Sequence, residues 1–165
     1  MRRYFPIIII ILLFLSVTIN ISFIASAIKT KPNNNEVNAV YQTFVSDIHG
    51  TLEGLDEFLN NSNPNTKILA FQSSLFRSNE MYLHAYELNS KTLVLYNKEF
   101  GTLINYAHSM NRHINNMFTD YIKGENINNQ VEDTRNKLES LVEKLKDTNM
   151  ESQQSVDQIF KIINQ

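Results

Sequence analysis

The chain has 165 residues, with no Cys, no Trp, four Gly and three Pro, and a formal net charge of −2. Without cysteine there is no disulfide, no thiolate metal site and no acylated lipoprotein cysteine. An acidic balance offers no basic face to nucleic acid, and the scarcity of Gly and Pro favours long helices over tightly turned sheets. The length suits one domain with a modest core. Asn fills 22 positions, which suits helix caps and turns and need not mean disorder.

Residues 1–27 have the order of a signal peptide. Arg2 and Arg3 come first, residues 7–15 are unbroken apolar, and Ala25-Ser26-Ala27 supplies small residues at a cleavage site. An uncleaved anchor is the alternative, because residues 5–28 are long enough to span a bilayer as a helix. In that case the two Arg hold the start inside, and membrane contact is confined to residues 5–28. Both readings place the remainder outside the membrane. Residues 28–35 form a polar linker with Pro32, and residues 36–165 form the exported domain.

In that domain the first predicted helix starts near Glu36, with Asn35 as its cap. Val37, Tyr41, Phe44, Ile48, Leu52, Leu55 and Leu59 recur at steps of three and four and make one apolar stripe. The run NNSNPN, residues 60–65, ends it.

A second segment covers about residues 66–88, with Ile68, Leu69, Leu75, Phe76, Tyr82, Leu83 and Tyr86 as its apolar face. Residues 89–92 (NSKT) are a weak break, and residues 93–96 (LVLY) are assigned to helix because the pattern on both sides is helical. The third segment carries Phe100, Leu103, Ile104, Ala107, Met110, Ile114, Met117, Phe118 and Tyr121, and Gly124 is its C-terminal stop.

Asn129 with Glu132 has the spacing of a capping box for a fourth helix running to the chain end. In heptads, Val131, Leu138, Leu145, Ser152 and Ile159 share one position. Thr134, Leu141, Thr148, Ser155 and Ile162 share the other. Both ends are apolar and the middle is polar, which favours a helix on a bundle edge over a two-stranded coiled coil. Asp133–Lys137 and Asp157–Lys161 have the acid-before-base order that supports an exposed helix face.

Residues 45–50, VSDIHG, resemble the first motif of the calcineurin-like metallophosphoesterases. In that family the motif closes a strand, and its Asp and His bind one of two metals. Asp47 and His49 stand at those positions, and Leu52 and Leu55 stand where the family begins a helix. The resemblance covers about 14 residues. The family's later Gly-Asp-x-x-Asp and Gly-Asn-His motifs do not occur in this sequence, and a two-metal hydrolytic site needs a bridging carboxylate and a full ligand set. The helical stripe also runs straight through the motif, whereas a strand would bury every second residue. A helix therefore has to accommodate Gly50 and Gly54. They lie four apart on one face, where a neighbouring helix can approach closely.

No other catalytic pattern emerges. His108 and His113 are five apart and point to different sides of a helix, so they lack the zinc-protease spacing. Glu80 and His84 are i,i+4, which suits a hydrogen bond as well as a metal. Glu53, Asp56 and Glu57 lack the spacing of a calcium loop. The aromatic residues fall largely on the stripes and read as core filling.

The sequence therefore predicts an all-α, antiparallel bundle of three to four helices behind a signal peptide or anchor. The predicted function is a non-enzymatic, extracytoplasmic interaction or structural module without cofactor. Its partner is a protein or a second copy of itself, and Leu138, Leu141 and Leu145 on the last helix are the candidate contact residues. A ligand-binding or sensory bundle is the alternative, and a metal-dependent phosphoesterase fragment the remote one.

Overall fold

The computed structural model describes residues 32–163, so the signal or anchor segment lies outside the described residues. These fold into five α-helices, with no strand among them: α1 Asn34–Asn60, α2 Pro64–Tyr96, α3 Gly101–Ile122, α4 Asn128–Leu145 and α5 Gln153–Ile163. None is long and apolar enough to cross a membrane.

The start of α1 is set by Asn33, not Asn35. The Asn33 side chain accepts the Glu36 N–H at 2.9 Å and its amide nitrogen donates to the Glu36 carboxylate at 2.9 Å. Both contacts satisfy groups at the first turn. The predicted stripe then faces inward, with Val37, Tyr41, Phe44, Ile48 and Leu55 fully buried and Leu52 and Leu59 packed at the margin. Across the NNSNPN turn, Asn63 accepts the Asn65 N–H and Pro64 opens α2. Proline tolerates that position because the first N–H has no intrahelical partner.

The expected break at residues 89–92 does not occur; α2 is continuous for 33 residues. Its polar side chains are satisfied without leaving the helix. The Thr92 hydroxyl donates back to the Leu88 carbonyl at 2.8 Å, and the Asn89 side chain accepts the backbone N–H of Phe100 across the turn. The helix stops instead at Asn97, whose φ of 53° is left-handed and whose N–H caps the Leu93 carbonyl. Helix α3 follows its predicted stripe and ends where Gly124 takes a φ of +90°.

The last predicted helix is two helices. Helix α4 begins at Asn128 behind the buried Ile127, and the Asn129–Glu132 capping box does not form. The polar middle of the heptad pattern is a turn. Thr148 bonds back to the Leu145 carbonyl through both its N–H and its hydroxyl. Met150 is fully buried, with its N–H on the Asn38 side chain. Ser152 then caps α5 by accepting the Ser155 N–H.

Neighbours along the chain run antiparallel. Asp47 of α1 meets His84 of α2, while Asn34 near the start of α1 meets Tyr96 at the end of α2. Ser78 of α2 meets Asn111 of α3, and Asp56 of α1 meets Arg135 of α4. Helix α1 packs against α2 and α4, and α3 packs against α2. The seam between α3 and α4 is not closed by comparable contact. One end of the core is aromatic: Phe58 meets Phe71 edge-on at 5.0 Å and Tyr121 at 5.1 Å, and Phe71 stacks with Phe118 at 5.7 Å.

Candidate functional site

The motif at residues 45–50 lies inside α1, as its periodicity predicts, and not at the end of a strand. A helix separates the two side chains. Asp47 is buried and faces α2, while His49 is exposed. Asp47 already has partners. His84 Nδ1 lies 2.6 Å from Oδ2, and the Arg77 guanidinium makes a longer 3.5 Å contact with Oδ1. His84 thus turns to Asp47, and no ion pair joins it to Glu80. Among the described residues no group of three or more His, Asp or Glu is arranged to hold a metal ion.

The polar α1–α2 seam continues below this pair. The Thr51 hydroxyl donates to the Asp47 carbonyl at 2.7 Å, and the Ser74 hydroxyl donates to the Thr51 carbonyl at 3.1 Å. At Gly54 a β-carbon would lie 2.7 Å from the Ala70 carbonyl and 2.3 Å from the Ser74 hydroxyl. The glycine face read from the sequence is therefore a site of close helix approach. Asp47 and its neighbours join two helices of the fold.

Close approach through small residues has a consequence on the far side of α2. The buried face of this helix is Ala70, Phe71, Ser74, Ser78, Met81, Ala85, Leu88 and Thr92. Four residues assigned to its core face by sequence are instead exposed: Leu69 (66 %), Phe76 (60 %), Leu83 (50 %) and Tyr86 (62 %). Leu93 and Val94 extend the row outward. At 100° per residue, Leu69, Phe76, Leu83 and Val94 form one line, interrupted by Glu87, which pairs with Lys91, and Tyr86 and Leu93 form a second beside it. Between the lines lie only Gln72, Asn79 and Ser90, which carry no charge.

The predicted contact residues on α4 divide differently. Leu138 and Leu145 are buried inside the chain, and Leu141 is half-buried at the surface. Val142, outside both heptad positions, joins the core with them. In place of Asp133–Lys137 and Asp157–Lys161 pairs, Arg135 pairs with Glu139 on α4, and Lys98 of the α2–α3 turn pairs with Asp157 of α5. Asp56 from the acidic cluster pairs with Arg135 at 2.8 Å.

Leu141 borders an open groove of about 680 Å³ along the α3–α4 seam. Leu103 and Tyr106 of α3 line one side, Lys137, Leu141 and Lys144 of α4 the other, and Ile162 and Ile163 of α5 one end. Partial burial pushes the Tyr106 hydroxyl up to about 12. A second cavity of about 300 Å³ adjoins it and shares Tyr106 and Lys137. Of these residues the sequence marked Leu141 for partner contact and offered Tyr106, with the other aromatic residues, as cavity lining or core; it does not outline the groove, because a groove depends on a seam left open between helices and periodicity does not report that.

Compared with protein-family models, curated proteins and solved structures, the chain gives no match. The functional reading therefore rests on its own geometry.

Proposed function

We propose that this chain is an exported, non-enzymatic interaction module, held outside the membrane either free or tethered by residues 1–27. Its contact surface is the outward face of α2. The observation that carries this reading is the pair of apolar lines from Leu69 to Val94, exposed along a 33-residue helix with no charged residue between them. A contiguous apolar face with uncharged polar residues inside it has the composition of an interface core. The seven-residue steps from Leu69 to Phe76 to Leu83 suit a helix laid alongside.

The partner we assign is a second copy of the chain. A two-fold pairing brings one patch against itself, and the acid that falls on its first line, Glu87, is already paired with Lys91 of the same helix. This moves the contact from α4, where Leu138 and Leu145 serve the core, to α2.

Light scattering of the purified chain across a concentration series tests the proposal. A dimer should form and should be lost in Phe76→Glu/Leu83→Glu, with helical circular dichroism unchanged. A chain that stays monomeric with its apolar face intact overturns the assignment. N-terminal sequencing of the protein recovered from outside the cell tests export, and Ile28 as first residue marks cleavage.

A further inference from the structure

From the open α3–α4 seam we infer a binding site for a single-chain amphiphile with a carboxylate head, such as a free fatty acid. Three independent features define it. The first is shape. Ligand cavities run to roughly 300–1,000 Å³, and the groove holds about 680 Å³ where α3 and α4 stand further apart than the other packed pairs, beyond their buried Thr134–Met117 contact. The second is the apolar part of its lining: Leu103 of α3, Leu141 of α4 and Ile162 and Ile163 of α5, which suits a hydrocarbon chain better than a wholly polar solute.

The third feature is charge. Lys137 and Lys144 lie seven residues apart on the same side of α4, both exposed, and neither forms an ion pair among the described residues. Their spacing along the helix axis is about 10 Å. Asp133 is the one acid in the lining, so the rim is net positive in a protein that is net negative. Tyr106, whose hydroxyl has no hydrogen-bond partner among the described residues, lines both cavities with Lys137 and comes from the opposite helix. A carboxylate at the rim gains a charge-assisted bond from lysine and can accept from the tyrosine, while its chain covers the apolar floor.

The experiment uses the full chain and dodecanoate below its micellar concentration, with dodecyltrimethylammonium and a neutral dodecyl maltoside as controls of equal chain length. Dodecanoate should raise the thermal midpoint, because a ligand that prefers the native state stabilises it. The controls should raise it less. In Lys137→Gln/Lys144→Gln, whose changes are on exposed residues, dodecanoate affinity should fall at least about tenfold. Since the chain has no tryptophan, Ser140→Trp at the groove provides a single emission that should shift to the blue and saturate with dodecanoate. The α2 variant Phe76→Glu/Leu83→Glu should bind dodecanoate as the parent does, which separates this site from the proposed contact face. Equal shifts with all three amphiphiles, no shift with any, or affinity lost in the α2 variant and kept in the lysine variant would each overturn the inference.

Discussion

His84 Nδ1 lies 2.6 Å from Asp47 Oδ2, so a buried carboxylate of α1 is held by a half-buried imidazole of α2, 37 residues further along the chain. Removing one partner of a buried polar pair strands the other, which costs more than removing both. His84→Ala should therefore destabilise by about 1–3 kcal/mol. The double variant Asp47→Ala/His84→Ala should lose less than the sum of its single variants, with a coupling of about 0.5–3 kcal/mol. Exposed His49→Ala should stay within about 0.5 kcal/mol of the parent. Urea unfolding of the parent and the four variants measures all of these. A cost at His49 equal to that at His84 would show that the environments of the two imidazoles are misassigned.

The two glycines of α1 separate a necessary small residue from a permitted one. A β-carbon at position 54 meets the Ala70 carbonyl at 2.7 Å, and backbone cannot swing aside. Gly54→Ala should cost about 1–3 kcal/mol despite its better helix propensity. The three atoms nearest a β-carbon at position 50 all belong to the Arg77 side chain, at 3.0 Å, and that side chain is 47 % exposed and can move outward at the cost of its long 3.5 Å contact with Asp47. There the helix-propensity gain of up to about 1 kcal/mol should dominate, so Gly50→Ala is stabilising. Opposite shifts in the denaturant midpoint are the expected result, and a loss at both positions would contradict it.

Alkali should weaken the fold through two tyrosines. Burial pushes Tyr41 up to about 12 from its usual 10.0, partly offset by its hydrogen bond to Thr148, and burial does the same to Tyr106. In each case the unfolded chain releases the proton first. The contribution to stability is thus intact below pH 10 and is lost as pH rises from 10 towards 12. Each tyrosine removes on the order of 1–3 kcal/mol across that interval. Unfolding free energy measured against pH, with tyrosinate absorbance read in parallel, follows the loss. Tyr41→Phe should begin lower and fall less steeply. A parent profile flat between pH 10 and 12 would refute the account.

Much of this architecture is legible from single residues. The stripes of α1 and α3 fall inside because they are apolar at helical spacing and nothing competes with that signal. Gly124 and the NNSNPN turn stop helices through local backbone chemistry, which acts without a partner. The misreadings share a different cause. Thr148, Ser152 and Ser155 look like weak core positions in a heptad, yet Thr148 bonds back to Leu145 and Ser152 caps α5. Only the anchoring of Met150 against α1 shows that the chain turns there. Asn89 and Thr92 look like a break, but tertiary and back-bonded contacts keep α2 whole. On α2 apolar residues occur on two sides, and the choice between them depends on Gly54 in another helix. The face that fits against a glycine is lined by Ala70 and Ser74, so the larger residues are left outside.

That choice has a direct thermodynamic test, because Phe71 and Phe76 sit five residues apart on one helix with opposite environments. Phe71 is fully buried between the rings of Phe58 and Phe118, and Phe76 is 60 % exposed. Truncating the first empties part of the core, and Phe71→Ala should cost about 3–5 kcal/mol. Truncating the second removes little native contact in a single chain, so Phe76→Ala should lie within about 0.5 kcal/mol at dilute, monomeric concentration. The pairing proposed for α2 adds a second expectation. Where the parent dimerises, its midpoint should rise with protein concentration, since association stabilises the folded state by mass action. Phe76→Ala should lose that dependence, and the difference between the two proteins should grow as concentration rises. A difference that stays constant across the series would place Phe76 within the fold of a single chain, contrary to its exposure.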